Sequence, residues 1–441
     1  VTPPTGVPVI LAHGIGIRSD LPISRQLFVA NGALVVVASF VVLAGFWQRS
    51  RLRGNAAGVA LPSAVHAVVD APIVRVPLRV AVLAVSLFVV VVGVFGPPSA
   101  DDNLAPYVVF ITFWVGLVPA SLLLGPVWRA VNPLRTIHAA WAAAAGVSPA
   151  TGLRRLPARV GYWPAAVSLF AFVAFELVVP RHSVPFNVAI AAIGYAVVHL
   201  IGGFVFGAEW FGRADAFEVC STLIGRMSFL GRRDDGRLVV RSPFNGLDGT
   251  PALPGLTGFL VVLLGSTAFD GIGRTPWWLR SSYAGSVPFG MLGLALTIAA
   301  VGGLYWLATW ATARLGGVRV ALGSPLAHSL IPIAVGYSVA HYFSLLVFDG
   351  QKTWILASDP FKNGSNYFGT ARHLVDNTVL ASGVVSSIRA GAIVIGHVLG
   401  TVVVHDRALR LLPARRATSA QLPLLALMVV FTMGGLLLIL A

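Results

Sequence analysis

Residues 326–348 read LAHSLIPIAVGYSVAHYFSLLVF, 23 residues with no Asp, Glu, Lys or Arg. As a helix rising about 1.5 Å per residue, the run covers roughly 35 Å, enough to cross the roughly 30 Å hydrocarbon core of a bilayer. In lipid it has to be helical, because its backbone N–H and C=O groups find partners only within the segment. Reading outward on the same criterion, ten segments qualify: 27–47, 78–97, 105–126, 162–179, 185–207, 255–272, 286–310, 326–348, 379–404 and 420–440. The 441 residues are 56% hydrophobic and 11% charged, where a soluble domain carries about 25% charge. The expected fold is a single all-α transmembrane domain over 1–441, with the lipid bilayer as its first partner. The polar stretches, 208–252 and 349–377, are loop-sized. Residues 1–26 do not read as a signal peptide, since the first apolar run is followed by Arg49, Arg51 and Arg53 and not by a small-residue cleavage site.

The formal charge of +15 would indicate nucleic acid in a soluble protein. Here the cations are segregated along the chain. Of 31 Lys and Arg, 22 fall in the connections that follow odd-numbered spans, counting Arg79 at the start of the second. Eight fall on the other side and one, Arg389, lies within a span. The positive-inside rule then places both termini outside and needs no nucleic-acid partner. Lysine occurs twice, at Lys352 and Lys362, against 29 arginines. With the abundance of Ala, Val and Gly, that bias fits a GC-rich bacterial genome and a plasma-membrane location. Cys220 is the single cysteine, so no internal disulfide forms.

A weak internal repeat runs through 105–200 and 186–310. Gly125-Pro-Val-Trp128 and Gly207-Ala-Glu-Trp210 each end a span and lead to a polar turn, Asn132-Pro133 and Asp215. The next spans end Ala174-Phe-Glu176 and Ala268-Phe-Asp270, and those after open Ser183-Val-Pro-Phe186 and Ser286-Val-Pro-Phe289. Span eight closes Phe348-Asp349, echoing Phe269-Asp270. Duplication of this kind is common in transporters. Asp215 reads as an N-cap, and the residues after it as a helix lying along the inner surface, as do 55–77.

Glu176, Asp270 and Asp349 each fall at the C-terminal, outer end of a span, where the helix dipole disfavours negative charge. If the three helices are neighbours, these acids converge on one cavity, with His341 about two turns below Asp349. Arg389 needs a partner, because a lone cation costs at least about 2.5 kcal/mol in a span; Glu176, Asp270 and Asp349 are the candidates. Of the histidines in spans, His199 with His397 is the pair at matched depth that a bis-histidine haem would require. His13 and His373, in external segments, are secondary candidates to join the acids around a divalent metal. Haem is the less favoured cofactor. No H-x-H, H-E-x-x-H, C-x-x-C, G-x-S-x-G or Walker motif occurs.

Several strings carry a resemblance over nearly the whole chain: His13-Gly-Ile-Gly with Arg18-Ser-Asp20-Leu-Pro22, Trp128 with Asn132-Pro133, Asp215-Ala-Phe-Glu218-Val, Ala340-His341-Tyr-Phe-Ser-Leu-Leu-Val-Phe348, and Gly396-His397 with His405-Asp406-Arg407. They resemble a family of actinobacterial multi-pass membrane proteins commonly labelled fenitrothion hydrolase. The resemblance implies hydrolysis of an organophosphate triester and carries over no catalytic residue. A membrane-embedded, metal-assisted hydrolase, a transporter of a small molecule or ion, and a redox or metal-handling subunit are the classes these observations leave open.

Overall fold

The computed structural model describes residues 25–439. Among them, ten helices are long and apolar enough to cross a membrane. They are α1 (Arg25–Phe46), α2 (Pro72–Phe95), α3 (Leu104–Leu124), α4 (Trp163–Val178), α5 (Pro185–Phe206), α6 (Leu256–Gly273), α7 (Val287–Gly316), α8 (Leu330–Phe348), α9 (Ser382–Leu411) and α10 (Leu422–Ile439). The architecture is the expected all-α polytopic bundle. Side chains such as Ile73, Phe95, Leu123 and Trp306 stand exposed around the bundle. An apolar surface of that extent is a liability in water and is solvated by acyl chains in a bilayer.

Contacts between the connections fix how the chain alternates. After α1, Trp47 Nε1, Ser50 Oγ and the Arg51 amide all donate to the Asp406 carboxylate near the end of α9, at 2.9, 2.7 and 2.6 Å. Arg407 binds Asp248, which precedes α6, at 2.9 Å. A small antiparallel sheet joins β1 (Val59–Ala60) to β3 (Leu238–Val240) and β3 to β2 (Leu230–Arg232), with Val240 opposite both Val59 and Leu230. All these pieces follow odd-numbered helices or precede even ones, so they share one face, the arginine-rich one. On the opposite face Lys362 pairs with Asp102 at 3.1 Å and Lys352 approaches Asp101 at 3.6 Å.

α6 and α8 are the most enclosed spans and α7 the least. α6 packs on α4, α7, α8 and α10; α8 packs most extensively on α9. That last contact is backbone against backbone. A Cβ on Gly336 would sit 2.4 Å from the Ala392 carbonyl oxygen, and one on Gly396 would sit 2.6 Å from that of Pro332. Small residues at such a crossing let helices gain van der Waals contact where no hydrophobic force drives association. α3 is irregular: Tyr107–Val115 wind as a π-helix, and the Gly116 amide bonds to the Ile111 carbonyl at 3.1 Å. Such wide turns recur at functional sites.

The largest departure from the sequence reading lies between the spans. α3 and α5 end at Gly125 and Gly207, whose φ of 79° and 73° lie in the left-handed region that glycine alone enters freely. Each turn sends the chain back into the bundle. Trp128 stacks near Phe113, midway along α3, with centroids 4.4 Å apart. Trp210 returns to His199 of α5, at 6.3 Å. Asn132 and Asp215 then cap two descending helices, Pro133–Ala144 and Ala216–Ile224, by accepting from the Leu134 amide and from the Phe217 and Glu218 amides. Phe217, at the top of the second, touches Phe113 and Trp114 of α3, Phe172 of α4 and Tyr195 of α5 at 4.8–5.7 Å. All four lie near the middle of their spans. Asp215 is an N-cap, as expected, but the helix after it is not interfacial. Nearly every residue from Ala216 to Ile224 is buried, so it is a re-entrant helix enclosed by protein, the one setting in which interrupted backbone is tolerated at membrane depth. By contrast Ser63–Asp70 has no buried residue.

Candidate functional site

Asp270 lies in the last turn of α6, where the dipole opposes its charge, and four donor contacts compensate. Arg274, one turn on, gives Nε to Oδ1 at 3.2 Å and Nη2 to Oδ2 at 3.1 Å. From α8, His341 Nε2 lies 2.8 Å from Oδ2 and Tyr342 Oη donates to it at 3.0 Å. His341 is in turn stacked on Tyr337 one turn earlier, with rings 7° from parallel. The Tyr337 hydroxyl is buried without a partner; a Cβ on Gly271, next to Asp270, would lie 3.6 Å from it. Glu176, on α4, lies within Coulombic range of Asp270 and Arg274.

The structure thus joins Asp270 to His341, with Glu176 within Coulombic range of Asp270. Asp349 follows the last residue of α8, within Coulombic range of Lys352. Arg389 departs from the expected ion pair. Its Nε donates to the Ala340 carbonyl at 3.0 Å, and the charge it faces is the like charge of Arg274. Arg274 holds Asp270, one of the candidate partners named for Arg389, because an i,i+4 partner on the same helix reaches it without crossing the bundle. His199 and His397 do not form a haem pair. α5 packs on α2 and the 133–144 helix, whereas α9 packs on α8, α1 and α10. His199 Nε2 is engaged with Ser168 and His397 Nδ1 with the Ile393 carbonyl, at 3.1 and 2.9 Å. His373 is exposed in the connection before α9, and His13 lies outside the described residues. Among the described residues no group of three or more His, Cys, Asp and Glu is placed to hold a metal.

A second polar cluster joins the two re-entrant segments at mid-height. Asn132 Nδ2 donates to Asp215 Oδ2 at 2.8 Å and to Glu218 Oε2 at 3.1 Å. Tyr195 of α5 donates to Asp215 Oδ1 at 2.8 Å and accepts the Ala216 amide at 3.0 Å. Arg135 grips both Glu218 oxygens, each at 2.6 Å. Asn132, Asp215 and Glu218 are all essentially fully buried. A buried carboxylate survives there because the fork satisfies both its oxygens.

Between the clusters runs an apolar cavity of about 200 Å³. Trp114 and Val118 of α3, Thr267 of α6, Ser338 and Tyr342 of α8 and Cys220 of the re-entrant helix are among its walls. Tyr342 therefore belongs both to the cavity and to the Asp270 cluster. Tyr342, Arg274, Tyr195 and Arg135 were missed as site residues in the sequence. Arg274 and Arg135 read there as ordinary loop arginines, and Tyr342 could have been found from its place beside His341. Compared with protein-family models, with curated proteins and with solved structures, the chain finds no match.

Proposed function

We propose that the protein is a membrane carrier for a small, predominantly apolar molecule. The observation that carries this reading is the re-entrant helix Ala216–Ile224, buried at mid-height and forming one wall of an apolar cavity that Tyr342 links to the Asp270–His341 pair. Discontinuous helices meeting inside a bundle, next to a cavity, are a recurring device of transporters, and ionisable residues inside a span default to function. The arginine-rich face is the cytoplasmic one on the positive-inside rule, which puts both termini and the Asp270 cluster towards the outside of a bacterial plasma membrane. The cavity walls are almost wholly apolar, so the cargo is neutral or carries its polarity at one end, where Ser338 and Tyr342 can reach it.

A second reading rests on the same dyad. A carboxylate that holds an imidazole is the orienting half of a general-base pair, and Ser338 lies one turn before His341 at the cavity wall. With the resemblance described above, this supports an ester hydrolase acting on a neutral triester. One assay separates the two. Purified protein in liposomes is given a nitrophenyl dialkyl phosphate triester. A carrier moves the intact ester across the bilayer, and Tyr342→Ala or Thr267→Trp abolishes the excess flux over protein-free vesicles. A hydrolase releases coloured nitrophenolate, and His341→Ala stops the release. Release without any protein-dependent flux would overturn the carrier reading.

A further inference from the structure

We infer that Arg226, Arg241 and Asn55, on the arginine-rich face, form a binding site for a phosphate group, borne by a soluble ligand or by a lipid headgroup. The site lies outside the spans and does not rest on the carrier reading.

The local fold buries an arginine here. Along β3, Val239 is buried and Val240 exposed. Arg241, next in that alternation, returns to the inner side, where it is 6% exposed. Its amide donates to the Phe229 carbonyl at 2.8 Å, which fixes the backbone. Glycine makes room for the side chain. A Cβ on Gly231 would lie 2.5, 2.6 and 2.9 Å from Nε, Cζ and Nη2 of Arg241. Distances so nearly equal place Gly231 over the flat face of the guanidinium and not on its donor edge. Arg226 comes from the Gly225–Met227 turn, directly after the re-entrant helix. It is half-buried, so the pair is reached from the surface on its side. Arg226 Nη1 donates to Asn55 Oδ1 at 2.7 Å, and Arg241 Nη1 reaches the same oxygen at 3.4 Å.

Two guanidinium groups thus share one neutral acceptor. Neither has a carboxylate within ion-pair distance among the described residues. The acids around them are committed elsewhere: Asp248 to Arg407 and Arg410, Asp70 to Arg75 and Arg232, Asp235 to Arg233. Asp234, within Coulombic range of Arg226, is exposed. Arg241 Nε is buried without a hydrogen-bond partner. Burial, and then the like charge of Arg226, holds the Arg241 pKa below its ordinary value. Arg129 brings a third positive charge within range of Arg226.

Buried charges are ordinarily paired, and the group that completes this set is an oxyanion. Arginine forks bind phosphate oxygens through paired N–H···O bonds. A carboxylate has two oxygens, enough for one fork; a phosphate has enough to meet two forks from different elements and the buried Nε. A metal cation would be repelled by all three arginines. The other side of the same sheet carries Val59, Val240 and Leu230, paired across the strands and exposed. An apolar row beside a basic pocket suits a lipid, which is why a headgroup stands beside a soluble phosphate as the source.

Two probes separate the sources, with amide hydrogen exchange on the full chain in detergent as the readout. Inorganic phosphate is titrated at constant ionic strength. Phosphatidylglycerol is titrated in phosphate-free buffer, with phosphatidylcholine as the control. We expect saturable protection of residues 226–231 and 241–249. Protection by phosphate alone assigns a soluble phosphorylated ligand; protection by phosphatidylglycerol alone, beyond phosphatidylcholine, assigns a headgroup; protection by both assigns the phosphate group itself. Arg241→Gln should raise the half-saturating concentration about tenfold or more, the loss expected for a charged hydrogen bond. Arg226→Gln, at the more exposed of the two, should act in the same direction if Arg241→Gln fails to fold. The titrations of the unmodified chain need no variant. No protection of these segments by either probe at millimolar concentration, or protection unchanged in a well-folded variant, would overturn the proposal.

Discussion

Arg135→Ala is the substitution whose cost follows most directly from the geometry. Glu218 is fully buried and accepts two 2.6 Å bonds from Arg135 and one of 3.1 Å from Asn132. Removing the guanidinium leaves a carboxylate inside the bundle with one neutral donor. Breaking a buried pair in this way costs about 3–5 kcal/mol. Arg135 is 20% exposed and the Asn132 bond survives, so the lower end applies, about 3 kcal/mol or roughly two decades in the unfolding equilibrium. Arg135→Leu with Glu218→Leu should recover much of the loss, since it removes both charges. Cys220 offers the readout. It is the only cysteine, 2% exposed, on the helix that Glu218 anchors, so a fluorogenic thiol reagent in detergent reports when that helix opens. A loss below about 1 kcal/mol, the range of a surface ion pair, would refute the placement of this pair inside the protein.

Further outcomes follow from other parts of the fold. Gly396→Leu should destabilise the bundle by more than the usual overpacking range of about 1–3 kcal/mol, because its Cβ would meet the Pro332 carbonyl; a variant that melts like the parent would deny the α8–α9 contact. Arg389→Ala should cost about 1.5–3 kcal/mol, the value of a charged hydrogen bond. A loss of about 4 kcal/mol or more, rescued by neutralising an acid, would indicate the carboxylate partner that the structure does not give it. His182, in the connection between α4 and α5, has its imidazole held below the ordinary 6.5 by burial, partly offset by its bond to the Val179 carbonyl. The folded state therefore binds that proton less readily than the unfolded one. The stability is present in full above 6.5 and is lost as pH falls towards the lowered folded value. His182→Gln should flatten melting temperature against pH below 6.5, and an unchanged profile would count against that burial.

The ten spans were legible because a lipid-crossing helix writes its constraint into about 20 consecutive residues. The pairing of Asp270 with His341 was half legible. Both stood out as ionisable groups in spans, yet their meeting depends on α6 packing against α8, which no local pattern encodes. For the same reason Asp349, in a string much like that of Asp270, reads as equivalent, although Asp270 lies inside the last turn of α6 and Asp349 follows the last residue of α8. His199 and His397 read as sharing a depth but sit on helices that pack on different neighbours. Arg389 was misread because Arg274, which takes the carboxylate, looks like any loop arginine. The re-entrant segments escaped notice for a different reason. Their helices are 5, 12, 4 and 9 residues long, too short for a hydropathy window, and the two longer ones start at a polar residue. Asn132 and Asp215 announce helix starts correctly; nothing local says that these starts lie deep in the bundle, where each cap is the other's partner.

The claim on which the functional reading stands is that Ala216–Ile224 is enclosed by the bundle and does not lie on its surface. Amide hydrogen exchange on the unmodified chain in nanodiscs tests it directly, since Ser63–Asp70 provides an exposed helix of similar length as an internal reference. The amides of 217–224 are predicted to be protected as strongly as those of 334–345 in α8. Exchange at the rate of the Ser63–Asp70 helix would contradict the re-entrant placement, and with it the cavity wall that the carrier reading requires.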